Sequence, residues 1–270
     1  MLGFGHLVRH VMNGLTSVGL PAPCRICRDP LMTSARIPVC KACLDRIPRM
    51  QGPICTVCGR FFPSGVPSNE GEPKCQLCRR GIYAFDQARS FVIYENEAVK
   101  AITLLKYEAI SPLGDWFAAG LAALATGRRD APAFHVVVPV PLHAGRQAER
   151  GYNQAELIAR PLARRLGLPL SSCLLVRTRP RPDKLRLSRK ERWRIVRGAY
   201  STRAGSQVDN LRVLLVDDVF TTGATLDACS RALKRAGAAA VLGLTAARVV
   251  PDWVVMRRFV PTAEKVAASD

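Results

Sequence analysis

The sequence predicts an α/β chain with a mostly parallel sheet and helices on both faces, preceded by a small cysteine-rich module. Three observations point there. Eight of the ten cysteines fall before residue 80, as four C-x-x-C pairs. From about residue 88 apolar runs alternate with segments of helical period, the pattern of strands joined by crossover helices. One apolar run ends in two adjacent carboxylates and a Thr- and Gly-rich turn. In open α/β sheets that place, the carboxyl end of a strand, is where ligands bind.

In chain order, Leu7, Val8, Val11, Leu15 and Val18 fit one face of a short N-terminal helix, with Arg9, His10 and Asn13 interrupting the apolar run. The segment lacks a signal-peptide core and reads as a helix docked on its own domain. No stretch reaches the ~18–20 apolar residues that a membrane-crossing helix needs. The pairs follow: Cys24 and Cys27, Cys40 and Cys43, Cys55 and Cys58, Cys75 and Cys78. A C-x-x-C turn points two sulfurs at one tetrahedral ion, and two turns complete a four-cysteine site. The spacing suits two structural zinc ribbons. Tandem pairing puts the first four cysteines on one ion and the last four on the other; interleaved pairing satisfies the spacing equally. Disulfides need an oxidising compartment, iron–sulfur clusters use other spacings, and redox C-x-x-C motifs usually stand singly. With no export signal, a cytoplasmic location is expected. Cys173 and Cys229 are isolated and read as small buried apolar residues.

The α/β part predicts strands over Arg89–Tyr94, His135–Val140, Cys173–Val176, Arg212–Val216 and Ala239–Ala246. It predicts helices over Asn96–Tyr107, Leu113–Ala125, Asn153–Leu166 and Thr225–Ala236, the last closed by Gly237. These boundaries divide the chain into an N-terminal helical segment (1–22), a double ribbon (23–85), an α/β domain (86–250) and a C-terminal extension (251–270).

The formal charge is +19, from 40 Lys and Arg against 21 Asp and Glu. That favours an anionic partner without choosing among nucleic acid, a phosphorylated small molecule and an acidic surface. Residues 177–197 concentrate the excess: ten Lys or Arg against Asp183 and Glu191. Pro180 and Pro182 keep the first half of that stretch irregular. It reads as a basic flap closing over a bound phosphate compound or, equally, as a track for a nucleic-acid strand. Trp193 and Tyr200 offer stacking faces, though burial is the simpler account of both.

Val213–Thr225 reads VLLVDDVFTTGAT. The strand delivers Asp217 and Asp218, Gly223 permits a tight turn, and Thr221, Thr222 and Thr225 supply hydroxyls. The helix that follows offers unpaired N–H groups and a positive dipole end, which suits a phosphate. Two acids beside a phosphate make sense if they bind sugar hydroxyls or a Mg2+ ion.

This signature resembles the binding loop of the type I phosphoribosyltransferases. The resemblance implies that Asp217 and Asp218 hold the ribose of phosphoribosyl pyrophosphate (PRPP). It gives the 5-phosphate to Thr221, Thr222, Gly223, Ala224 and Thr225, and brings Mg2+ with the pyrophosphate. Purine-specific members often have Asp where Thr221 stands; Thr is no base at neutral pH, so hypoxanthine-type salvage is not implied. Three further stretches go with it: VKAITLLKY (99–107), PVPLHAGRQAERGYNQ (139–154) and LSRKERWRIVRGAY (187–200). With the cysteine pairs ahead, the chain resembles the ComF/GntX family over residues 20–250. Those are double-zinc-ribbon phosphoribosyltransferase-like proteins associated with competence and use of external DNA. Lys184 and Ile195 stand where that family usually has Gln and Asn.

His143, Arg146 and Arg150 are then expected around the loop that faces the pyrophosphate, with Arg189 and Arg192 from the basic stretch. Planar guanidinium forks suit a diphosphate. Asn153 and Gln154 are candidates for capping the next helix or, equally, for ligand contact, and Lys106 could reach the same region, an exposed helical lysine being its default reading. If the chain is an enzyme, it is a pentosyl transferase displacing pyrophosphate at ribose C1, and no side chain stands out as a catalytic base. The alternative is a non-catalytic protein of the DNA-uptake machinery, holding single-stranded DNA or a partner, with a regulatory or vestigial PRPP site.

Overall fold

The computed structural model describes residues 22–31, 37–62, 72–127, 133–180 and 188–251. The expected N-terminal helix, Lys184 and nearly all of the C-terminal extension lie outside them. The elements are α1 (Lys41–Arg46), α2 (Gln76–Arg79), β1 (Gln87–Ile93), α3 (Asn96–Tyr107), α4 (Ser111–Thr126), β2 (Val136–Pro139) and α5 (Ala144–Arg150). They continue as α6 (Gln154–Leu166), β3 (Leu175–Arg177), α7 (Arg189–Val196), β4 (Tyr200–Thr202), β5 (Arg212–Phe220), α8 (Ala224–Arg235) and β6 (Ala240–Arg248).

Four strands form one parallel sheet in the order β1-β6-β5-β2, and β3 and β4 form a separate antiparallel pair. The β5 side chains alternate between two cores, because successive residues of a strand point to opposite faces. Leu214 and Val216 pack with α3, α4 and α6 through Leu105, Phe117, Leu121, Ile158 and Leu162. Val213 and Leu215 pack with α8 and the β3–β4 pair through Leu226, Leu233, Leu175 and Tyr200. Both faces are buried, which is why these strands read as unbroken apolar runs. At Gly114 a Cβ would lie 2.2 Å from Leu157 O, so the missing side chain is what lets α4 approach α6 so closely.

The cleft at the sheet's carboxyl ends comes from two strands of unequal length. β2 pairs with β5 only as far as Pro139 opposite Val216. After the Val140 N–H donates to Val216 O (2.8 Å), Pro141 has no N–H to continue the ladder. β5 instead runs on beside β6, with Asp217 opposite Thr245 and Phe220 opposite Arg248. The acids therefore lie within a strand that extends four residues past the expected end, Val216, and not in the loop after it.

The basic stretch also differs from expectation. Its second half is a regular helix, α7, because Ser188 and Glu191 form a capping box in which each side chain accepts from the other residue's N–H. Cys229 is buried as expected, but Cys173 is exposed. Among the described residues no helix is long and apolar enough to cross a membrane.

Candidate functional site

The cysteines assemble in tandem. Cys24, Cys27, Cys40 and Cys43 form one group and Cys55, Cys58, Cys75 and Cys78 another, each with its sulfurs within 4.8 Å of one another. Measured Sγ–Sγ separations are 3.9 Å (Cys24–Cys43), 3.7 Å (Cys27–Cys40) and 3.6 Å (Cys58–Cys75). Four thiolates on one ion, with bonds of about 2.3 Å, stand about 3.8 Å apart. Both groups therefore fit a tetrahedral thiolate site. Backbone N–H groups already point at the sulfurs, from Ile26 and Cys40 to Cys24 and from Cys75 to Cys55 (3.3–3.4 Å), as thiolate charge requires.

At the sheet's carboxyl ends lies a cleft of about 530 Å3. Asp217, Asp218, Thr221, Thr222, Ala224 and Thr225 line it, as do His143, Arg146, Arg150 and Arg192. Of the residues expected there from sequence, Gly223 and Arg189 are not on its wall.

The loop is built by Gly223 and what fills the space beside it. Gly223 is the N-cap of α8 at φ +81, where an added Cβ would lie 2.6 Å from the Phe220 ring and 2.8 Å from Tyr83. Glycine supplies no side-chain cap, and Asp227, the acid of the first turn, is turned away. Its carboxylate accepts from Ala84 N–H and from Arg231 Nε, both at 2.8 Å. Thr222 Oγ1 accepts from Ala224 N–H at 3.4 Å, and the positive end of α8, with Thr222, Ala224 and Thr225, lies at the cleft wall.

Asp217 and Asp218 are only 8% and 6% exposed. Asp218 Oδ2 pairs with Lys106 Nζ at 2.8 Å, so Lys106 belongs to the cleft and not to the solvent-exposed helix face expected for it. Burial pulls the Lys106 ammonium down, but the charges of Asp218 and Asp217 outweigh it and hold its pKa above the ordinary lysine value. Burial, and then the Asp218 charge, push the Asp217 carboxyl up to about 8, against the opposing N–H of Asp218 (2.9 Å) and Lys106.

The PVPLH…RGYNQ stretch works mostly as scaffold. His143 Nδ1 accepts from Gly145 N–H and caps α5, and its backbone bridges to Arg177. Arg150 donates to Gln154 Oε1 (2.7 Å) and lies over the Tyr107 ring. Asn153 caps α6 through Ala155 N–H while its amide donates to Val140 O (3.0 Å), fixing the helix to the strand exit. Tyr152 Oη donates to Lys106 O and accepts from Ala109 N–H.

Tyr83, Arg177 and Arg248 were not singled out from the sequence. Tyr83 Oη donates to Thr222 O (3.0 Å), and its ring lies against Trp193 of α7 and stacks on Phe85. Burial pushes its phenol up to about 12. Arg248 is buried, donates to Cys58 O (2.7 Å) and lies 3.9 Å over the Phe220 ring. Arg177 lines the cleft and lies over Tyr200. Arg248 had one signal available: it is the charged end of the apolar run AVLGLTAAR. Tyr83 had none.

A parallel sheet carrying an acid pair and, just beyond it, a glycine-led helix start at its carboxyl edge defines a phosphoribosyltransferase-like protein. The phosphoribosyl transferase domain family matches residues 153–249. The DNA utilization protein YhgH of Salmonella typhi is 32% identical over 82% of this chain and 95% of its own length. Competence protein ComFC of Bacillus subtilis is 29% identical over 75% of this chain and 80% of its own. Among solved structures, adenine phosphoribosyltransferase from Leishmania tarentolae aligns with 59% of this chain and 68% of its own at 21% identity and a TM-score of 0.34. The chain belongs to the ComF family.

Proposed function

We propose that the chain binds PRPP in the cleft. The observation that carries this reading is one wall holding both halves of such a ligand's recognition: a buried acid pair and, five residues on, a helix start with glycine at its N-cap. In this reading Asp217 and Asp218 hydrogen-bond the ribose hydroxyls. Thr221, Thr222, Ala224 and Thr225 take the 5-phosphate with the N–H groups that Gly223 exposes. The pyrophosphate lies toward Arg146, Arg192 and Arg177, where Mg2+ accompanying it would supply charge neutralisation as it leaves C1. Transfer would then rest on positioning and charge stabilisation; among the described cleft residues His143 is the one candidate base, and its ring nitrogen already accepts from Gly145 N–H. Arg150, held by Gln154, shapes the wall more than it contacts ligand. The two cysteine groups hold structural Zn2+, two per chain.

Calorimetric titration of zinc-loaded protein with PRPP and Mg2+ tests the reading. Asp217→Asn with Asp218→Asn is expected to abolish binding while the protein stays folded; unaltered affinity overturns the assignment.

A second reading is favoured by the relatives' names, a competence protein and DNA utilization proteins. In it the basic face holds single-stranded DNA or a partner during DNA uptake. Binding of single strands that falls steeply with salt and ignores the Asp variants would support it. Nucleobase-dependent release of pyrophosphate would support the enzyme.

A further inference from the structure

Lys106 is held in place from more than one side. Its backbone carbonyl accepts from Tyr152 Oη (2.7 Å), and the same hydroxyl accepts from Ala109 N–H (3.0 Å). Ala109 has φ +52, a left-handed conformation that a non-glycine residue adopts only when its surroundings fix it. The loop before α6 thus clamps the end of α3. Asn153, the next residue, ties the same loop to the strand exit at Val140. The LLKY and RGYNQ stretches, some 45 positions apart, are two parts of one fixture, and the side chain it presents is the ammonium of Lys106. That side chain is 24% exposed, enough to reach the cleft, and lies 2.8 Å from Asp218 Oδ2.

We propose that Lys106 is a positioning residue of the phosphoribosyl site, whose ammonium, paired with Asp218 Oδ2, orients that carboxylate as an acceptor for a ribose hydroxyl. This rests on the PRPP reading above. Two carboxylates on consecutive residues at a buried strand end repel each other, and taking up one proton relieves the repulsion. A protonated acid turns from acceptor to donor and fails a sugar hydroxyl that must itself donate. An ammonium 2.8 Å from Asp218 Oδ2 opposes that proton uptake and fixes the orientation of the Asp218 carboxylate in the cleft wall. The role is distinct from that of the 5-phosphate loop and from direct contact with pyrophosphate.

The test compares full-length zinc-loaded wild type with Lys106→Met, Lys106→Arg and Tyr152→Phe. Ribose 5-phosphate and inorganic phosphate are titrated by NMR, and PRPP with Mg2+ by calorimetry. Lys106→Met is expected to weaken ribose 5-phosphate and PRPP alike by about tenfold or more, the scale of a lost close ion pair at a partly buried site. Inorganic phosphate at the loop should change by less than about twofold. Arg at 106 should recover most of the loss. Tyr152→Phe keeps the ammonium but loosens its clamp; it should show the same selectivity at lower amplitude, and it serves where the Met variant folds poorly. PRPP weakened with ribose 5-phosphate untouched would overturn the proposal, because Lys106 would then meet the pyrophosphate itself. All three ligands weakened equally would also overturn it, as a merely structural effect, and so would no change in any. If wild type binds neither sugar phosphate, the PRPP reading falls and takes this inference with it. If wild type binds and the double Asp variant does not, while Lys106→Met matches wild type, only the inference falls.

Discussion

The two cysteine modules have the same ligand set and similar sulfur geometry, yet they hold opposite halves of the cleft. The first packs with Ile26, Val39 and Ile47 into the core beneath α3 and α4. Its polar links run to α3: Lys100 donates to Ile26 O (3.3 Å), Arg46 pairs with Glu97 (3.1 Å) and Arg25 pairs with Glu108. The second module packs into the other core, with Phe85 and Phe220. Its links run to the phosphate loop: Arg248 to Cys58 O, Tyr83 to Thr222 O, and Ala84 N–H to Asp227 at the start of α8. Equal chemistry has thus been put to unequal use. The first module steadies the helix that carries Lys106 in its last turn; the second supports the turn on which the 5-phosphate would sit.

Breaking the modules one at a time sharpens the contrast most. Cys55→Ser with Cys58→Ser should lower the metal content from two ions to one and weaken PRPP by about 100-fold or more. Removing a structural metal site removes folding energy from everything packed on it. Cys24→Ser with Cys27→Ser should lose the same one ion but weaken PRPP by about tenfold, through α3. Metal analysis and calorimetry on both variants decide it, and equal losses would erase the distinction.

Gly223→Ala comes next. A Cβ there meets the rings of Phe220 and Tyr83 and sits at a positive φ. A cost of about 1–3 kcal/mol in stability is expected from a melting curve, and PRPP binding should weaken by about tenfold or more. Tyr83→Phe is milder. It deletes one hydrogen bond to Thr222 O, worth about 0.5–1.5 kcal/mol, so a three- to tenfold loss of PRPP affinity is expected without loss of metal.

How much of this was legible from the sequence follows the distance over which each residue acts. Strands β2, β5 and β6 were readable because burial on both faces makes them continuous apolar runs, and α3 because its apolar face repeats at helical spacing. Sequence spacing fixed the four-sulfur logic but left tandem and interleaved pairing equal. The end of β5 was misjudged because Asp217 and Asp218 look like strand terminators; they stay in the strand because β6 continues alongside them. Lys106 was set aside because a lysine on an amphipathic helix is usually solvated, and its partner lies 112 positions away. Helix α7 was missed because its charged face hides any periodicity. Tyr83 and Arg248 act across more than 100 positions, and nothing near them in the chain marks their partners.

The acid pair predicts a trade between stability and binding. Asp217 titrates near 8 when folded, far above its usual 3.8, so the unfolded chain ionises first and stability falls as pH rises from about 4 to 8. Asp217→Asn removes that cost, and Tm at pH 8 should rise by roughly 2–6 °C even as PRPP binding is lost. In wild type, PRPP affinity should climb between pH 7 and 9 as Asp217 ionises. A Tm lowered by Asn, or an affinity flat across that range, would contradict the burial described. The smallest effect belongs to the exposed Arg46–Glu97 pair, where Arg46→Ala should change stability by about 0–1 kcal/mol.

The most direct measurement is a crystal structure of the zinc-loaded protein grown with PRPP and Mg2+. The account predicts the 5-phosphate on the backbone N–H groups at the start of α8. It also predicts the ribose hydroxyls within hydrogen-bond distance of Asp217 and Asp218, with Lys106 still paired to Asp218. PRPP bound anywhere else, or a cleft left empty at saturating ligand, would contradict it.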